Sequence, residues 1–126
     1  MGDRAAGPLL ENYLRGGAEI LVVRAAELYR ADTIEQLGHE LHRAMDASTA
    51  NRFILDLAGV TFLTSGALGL IINTRAHLVK RGFTLALAGA AGEVARVFEH
   101  SRLAEVMPVY ATVEDALKNF ACDSGL

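Results

Sequence analysis

The chain is short of cysteine and of basic charge, and each shortage excludes something. Cys122 is the single cysteine among 126 residues. No disulfide can therefore close within the chain, and no set of thiolates can hold zinc. The core must carry the fold, and the expected compartment is the cytoplasm. The 12 Lys and Arg residues are outnumbered by 15 Asp and Glu, for a formal net charge of -3. Such a balance supplies no basic stripe for a phosphate backbone, so nucleic acid is not an expected partner. The start, Met1-Gly2-Asp3-Arg4, lacks the basic and apolar regions of a secretory signal, and Ala6 stands where a myristoylation pattern needs Ser or Thr. From Leu57 to Thr74 no residue is charged, but Gly59, Thr61, Thr64, Ser65, Gly66, Gly69 and Asn73 interrupt the run. A buried strand, a tight loop and a helix start fit it better than a lipid-facing span, so no membrane insertion is expected.

With 52% hydrophobic residues and 21% charged, the chain holds apolar material for one core and one domain. Leu9 to Leu14 reads as a weak strand, Arg15-Gly16-Gly17 as a turn, and Ile20 to Val23 as a buried strand. The period then changes. Asp32 with Glu35 resembles a capping box, and Ile34, Leu37, Leu41, Ala44 and Met45 recur at helical spacing. Phe53 to Leu57 reads as the next strand, followed by a turn at Gly59. The Thr64-Ser65-Gly66 step opens a helix expected to pack through Leu68, Ile71, Ile72 and Val79 and to end near Arg81-Gly82. A strand at Phe83 to Ala88, a helix from about Ala91 to His100 and a strand at Val106 to Tyr110 follow. A last helix begins at Thr112 with Asp115 and carries Val113, Leu117 and Phe120. Serial strand-helix units predict an α/β domain with a largely parallel sheet.

Enzyme signatures are scarce. Glu35, His39 and His42 share a helix face at metal-compatible spacing, but no further ligand is identified, so the solvated-face reading is preferred and no metal or cofactor is expected. Gly89-Ala90-Ala91-Gly92 lies between a strand and a helix without the lysine of a P-loop or the dinucleotide fingerprint, and reads as a plain connection. Ser65 lacks the glycine pattern of a nucleophile elbow and a paired histidine, so no catalytic residue is assigned. Thr64 can serve as an N-cap. A phosphate on Ser65 would add about -1.5 to -2 charge, which a helix N-terminus favours by roughly 0.3–1 kcal/mol.

The run from Phe53 to Gly69, with Leu55-Asp56-Leu57 leading to Thr64-Ser65-Gly66-Ala67-Leu68-Gly69, resembles the signature of STAS domains of the anti-sigma factor antagonists. There a Leu-Asp-Leu strand leads to a segment close to Asp-Ser-Ser-Gly-Leu-Gly. Ala26-Glu27-Leu28 stands where that family has Gly-Glu-Leu, Thr33 to Leu41 resembles its first helix, and Arg81 to Gly89, Val94 to Phe98, Arg102-Leu103 and Glu114 to Leu117 also fit. The resemblance implies a STAS-type α/β fold, a mixed four- to five-stranded sheet with about four helices largely on one side. On this reading residues 1–17 supply an edge strand, 18–120 form the STAS domain and 121–126 a flexible tail.

The resemblance also implies a function. The chain would be a non-enzymatic, bacterial switch in partner-switching signalling, binding a serine-protein kinase that doubles as an anti-sigma factor while it is unphosphorylated. A PP2C-type phosphatase would reverse the phosphorylation. Matching motif to motif makes Ser65 the phospho-acceptor, with Thr64 secondary. The partner-binding edge would comprise Tyr29, Asp32, Thr64, Ser65, Gly66, Leu68 and Gly69, and a homodimer is compatible with this role. Thr64 stands where the family has Asp, Gly66 and Ala67 where it has Ser and Gly, and Tyr29 where an acidic residue is common. Either the cognate kinase differs, then, or Thr64 shares the acceptor role. The alternatives are a structural subunit of a STAS signalling assembly and a small-ligand or nucleotide-binding STAS module.

Overall fold

A computed structural model describes residues 8–124, with side chains described through residue 119. A hairpin opens the chain: β1 (Leu10–Arg15) pairs antiparallel with β2 (Ala18–Val23). Gly16 and Gly17 both have positive φ, 60° and 83°, the requirement of a two-residue turn that matches strand twist. Then come β3 (Glu27–Leu28), α1 (Ala31–Ala47), β4 (Arg52–Asp56), β5 (Phe62–Leu63) and α2 (Ser65–Lys80). The order continues with β6 (Thr84–Ala88), α3 (Gly92–Ser101), a 3-10 turn at Leu103–Glu105, β7 (Val109–Tyr110) and α4 (Val113–Ser124). The main sheet runs β1-β2-β4-β6-β7, antiparallel at β1 and parallel elsewhere, and β3 with β5 forms a separate two-stranded parallel sheet. This is the mixed α/β fold expected.

Strand alternation divides the core in two. Leu21, Val23, Phe53, Leu55, Leu85 and Leu87 meet Leu37, Leu41 and Met45 of α1, Ala67, Ile71 and Leu78 of α2, and Val94 and Phe98 of α3. On the opposite face the smaller Ala18, Ile20, Ile54, Ala86 and Ala88 pack against Val113 and Ala116 of α4. Three helices thus cover one face and one covers the other. Because β4 and β6 are covered on both faces, they read as nearly unbroken apolar runs.

Several expectations are corrected. The N-cap of α1 is Arg30, without a side-chain cap bond, so Asp32 lies inside the first turn and the capping box with Glu35 does not form. Asp32 instead accepts the Thr33 N–H at 2.8 Å and pairs with Arg30 at 3.2 Å. The buried seam of α2 is Ala67, Ile71, Thr74 and Leu78, and Leu68 only flanks the core. Ile72 and Val79, expected inside, are 43% and 47% exposed. At 100° per residue they sit a quarter-turn from the seam. Thr74 takes the place of an apolar residue there by donating its hydroxyl to the Leu70 carbonyl at 2.8 Å. The strand expected from Val106 is confined to Val109–Tyr110, because the 3-10 turn carries the chain to Val106 first. α4 runs to Ser124. Residues 1–7 of the N-terminal segment, residues 125–126 and the Phe120 side chain lie outside the described residues.

Candidate functional site

The site grows from the small sheet. β4 ends in a turn where the Asp56 carboxylate accepts the Ala58 N–H at 3.0 Å and the Leu57 N–H reaches the Ala88 carbonyl at 2.8 Å. β5 then lies alongside β3, with Leu28 and Leu63 buried beneath. Two clamps hold the pair: the Thr61 N–H to the Ala26 carbonyl at 2.7 Å, and the Thr64 N–H to the Leu28 carbonyl at 3.1 Å. The Thr64 hydroxyl also points to the Leu28 carbonyl, at 3.4 Å. Thr64 is indeed the N-cap of α2, but its side chain makes no cap bond because it turns toward β3 instead.

Ser65 is therefore the first residue of α2. It is exposed, and among the described residues no hydrogen bond holds its hydroxyl. The first turn of α2 contains no acidic side chain, so the positive end of its dipole and its unsatisfied N–H groups stand uncompensated beside that hydroxyl. Gly66 lies against α1: a Cβ there would sit 3.5 Å from the Ile34 side chain. The N-termini of α1 and α2 thus open side by side.

Around this point the structure gathers most of the residues expected there. Tyr29 follows β3 and is 52% exposed. Asp32, in the first turn of α1, is ion-paired with Arg30, whose guanidinium holds the carboxyl below the usual aspartate range. Ser65 and Gly66 are exposed, Thr64 and Gly69 are half-buried, and Leu68 leans on the core. One residue was not anticipated: Phe62, 45% exposed, packs edge-on to Tyr29 with ring centroids 6.3 Å apart and planes at 67°. Within the expected loop from Tyr29 to Asp32, Arg30 supplies the only cation bonded to Asp32 among the described residues. No signal in the sequence marks Phe62, because β5 is two residues long and its outward side is set only by pairing with β3.

The other candidates separate. Among the described residues no three His, Cys, Asp or Glu side chains are grouped for a metal. His39 faces Glu35 at 4.0 Å, while the His42 ring lies near the Gly38 carbonyl and 4.6 Å from the ring of His77. His77 is three turns along α2, about 18 Å from Ser65. Gly89, with φ 84°, is a packing joint: a Cβ there would fall 2.9 Å from the Ala58 nitrogen and from the Asp56 carboxylate.

Comparison with known proteins gives a consistent result. The chain is similar in fold to an anti-sigma-factor antagonist (STAS) domain protein from Planctomyces limnophilus, at 21% identity and TM-score 0.77, covering 90% of this chain and 98% of that one. It is similar to an anti-sigma factor antagonist from Mycobacterium paratuberculosis, at 23% identity and TM-score 0.76 over 87% and 91%. It is also similar to the Bacillus cell fate determinant SpoIIAA in its phosphorylated form, at 19% identity and TM-score 0.64 over 88% and 98%. None of the curated proteins matches in sequence. The STAS domain family model matches residues 14–116, a span from the end of β1 into α4, and the chain belongs to the STAS domain family.

Proposed function

We propose that this protein is a phosphorylation-controlled binding switch of the anti-sigma factor antagonist kind, acting through contact with partners and not through turnover. The observation that carries the reading is the exposed Ser65 hydroxyl at the uncompensated N-terminus of α2. A phosphate there meets free N–H groups and a favourable dipole, so the fold accepts it while the surface changes charge. Thr64 is a poorer acceptor, because its hydroxyl is half-buried and directed to the Leu28 carbonyl. SpoIIAA, similar in fold, has a phosphorylated form, which supports the same chemistry here.

The partner is a serine-protein kinase that also serves as an anti-sigma factor, with a PP2C-type phosphatase returning the switch to its unphosphorylated, binding state. The docking edge is Ser65 and Gly66 together with Tyr29 and Asp32, extended by Phe62. No helix of the described residues is long and apolar enough to cross a membrane, and a lone cysteine suits a reducing cytoplasm. The test is incubation with the cognate kinase and ATP, followed by tandem mass spectrometry. The phosphate should appear on Ser65 with a change of bound partner. Phosphorylation that survives Ser65→Ala would remove the basis of this reading.

A further inference from the structure

β1 is one of the two edge strands of the main sheet, with β7 at the other side, and among the described residues no strand lies beyond it. Its pairing runs from Leu10↔Val23 to Arg15↔Ala18 without a bulge. The two-residue turn makes Arg15 and Ala18 a hydrogen-bonded pair, and the Arg24 N–H to Leu9 carbonyl bond of 2.7 Å sets the same phase at the other end. Glu11, Tyr13 and Arg15 therefore turn their peptide groups toward β2, while Leu10, Asn12 and Leu14 turn theirs outward. The outward N–H of Leu10 is taken by the Glu40 carboxylate at 3.0 Å. Those of Asn12 and Leu14 remain on the open edge. The side chains beside them are apolar and uncovered, with Tyr13 43% and Leu14 59% exposed.

We propose that this edge pairs antiparallel with β1 of a second copy about a twofold axis at Tyr13, joining two five-stranded sheets into one. The register follows from hydrogen-bond phase, because outward peptide groups must oppose outward peptide groups. Pairing about Asn12 would set Leu10 against Leu14, where Glu40 already holds the Leu10 N–H. Pairing about Leu14 would need the peptide of Gly16, which lies in the turn. Pairing about Tyr13 sets Asn12 against Leu14 of the second copy in both directions and uses the free groups alone. It also sets Glu11 against Arg15 in both directions and brings the two Tyr13 rings together at a close, non-hydrogen-bonded position. Opposite charges and aromatic pairs placed in this way stabilise a ladder.

Charge complementarity identifies the occupant: Leu-Glu-Asn-Tyr-Leu-Arg, read against itself about its tyrosine, matches acid to base. Glu11 and Arg15 now make exposed pairs with Arg24 and Glu114 at 3.2 and 3.1 Å, and each can take a second partner across the axis. The contact is small, so the dimer is weak and exchanges quickly. It does not depend on phosphorylation at Ser65.

Sedimentation of the full chain from micromolar to millimolar concentration should show the mass rising from 13.5 kDa toward twice that value. Glu11→Arg alone and Arg15→Glu alone each oppose like charges, and should each weaken self-association about tenfold. Mixed together, the two variants complement each other and should form a heterodimer of near wild-type affinity, a rescue that misfolding could not produce. In a Cys122→Ala background, Tyr13→Cys should cross-link to itself on oxidation, because self-opposed positions lie about 4.5 Å apart at Cα, within disulfide reach. Leu14→Cys should not. A mass fixed at 13.5 kDa throughout, self-association indifferent to both charge changes, or cross-linking at position 14 in place of 13 overturns the proposal.

Discussion

The amide and the hydroxyl of Thr64 both point to one acceptor, the Leu28 carbonyl, at 3.1 and 3.4 Å. That shared acceptor joins the end of β3 to the start of α2 and leaves Ser65 as the first side chain facing solvent. Kinase treatment should label wild type and Thr64→Ala alike and leave Ser65→Ala unlabelled, as read by intact mass. Thr64→Ala should cost less than about 1 kcal/mol of stability, because the bond it removes is long and its N–H partner persists. Equal loss of labelling in the two variants would show that both hydroxyls are acceptors.

Phosphorylation should alter binding without altering the fold. A docked partner would have to accommodate about two extra negative charges, so affinity should fall by roughly one to three orders of magnitude while the melting temperature hardly moves. Tyr29→Ala and Phe62→Ala should each weaken partner binding by about 1–2 kcal/mol or more, as exposed aromatic anchors do. Calorimetry of binding alongside thermal melts separates the two effects, and a large melting shift on phosphorylation would defeat a surface-charge mechanism.

The seam of α2 makes a sharp stability prediction. Ile71→Ala empties space in the core, since Ile71 is 3% exposed, and should cost about 2–5 kcal/mol. Ile72→Ala, one residue on and 43% exposed, should stay within about 0.5–1 kcal/mol. Urea denaturation of both variants checks the ordering, and the reverse ordering would overturn the seam of Ala67, Ile71, Thr74 and Leu78.

The Arg30 guanidinium, bonded at 3.2 Å, holds the Asp32 carboxyl below its ordinary 3.8. A depressed carboxyl stabilises the folded state above its unfolded value and loses that contribution as pH falls through the folded one. The pair should therefore matter at neutral pH and fade below about pH 4. Arg30→Gln should return the Asp32 titration toward its ordinary value, as followed by carboxyl chemical shifts. An unchanged midpoint would mean that Arg30 does not hold the carboxyl in solution.

Much of this was legible because the elements repeat with a period. Ile34, Leu37, Leu41 and Met45 mark α1, and the apolar runs at β4 and β6 mark strands covered on both faces. Ser65 was legible by its place at the step from loop to helix. β3 and β5 were not, because a two-residue strand has no period to read and exists only through its partner. The inward face of α2 was misread because the helix is apolar around much of its girth, and the residue completing the seam, Thr74, is polar.

Local pattern and turn chemistry carry the class of fold, the order of its long elements and the place of Ser65 at a helix start, and these were legible in the sequence alone. Packing alone settled which two aromatic rings meet over β3 and β5, which hydroxyl is turned away from solvent, and which strands stand at the edges of the main sheet. Each depends on a contact between residues far apart in the chain: Tyr29 with Phe62, Thr64 with Leu28, and β1 at the end of a sheet whose strands come from across the domain. Such contacts form only when packing brings distant segments together, and no local periodicity encodes them.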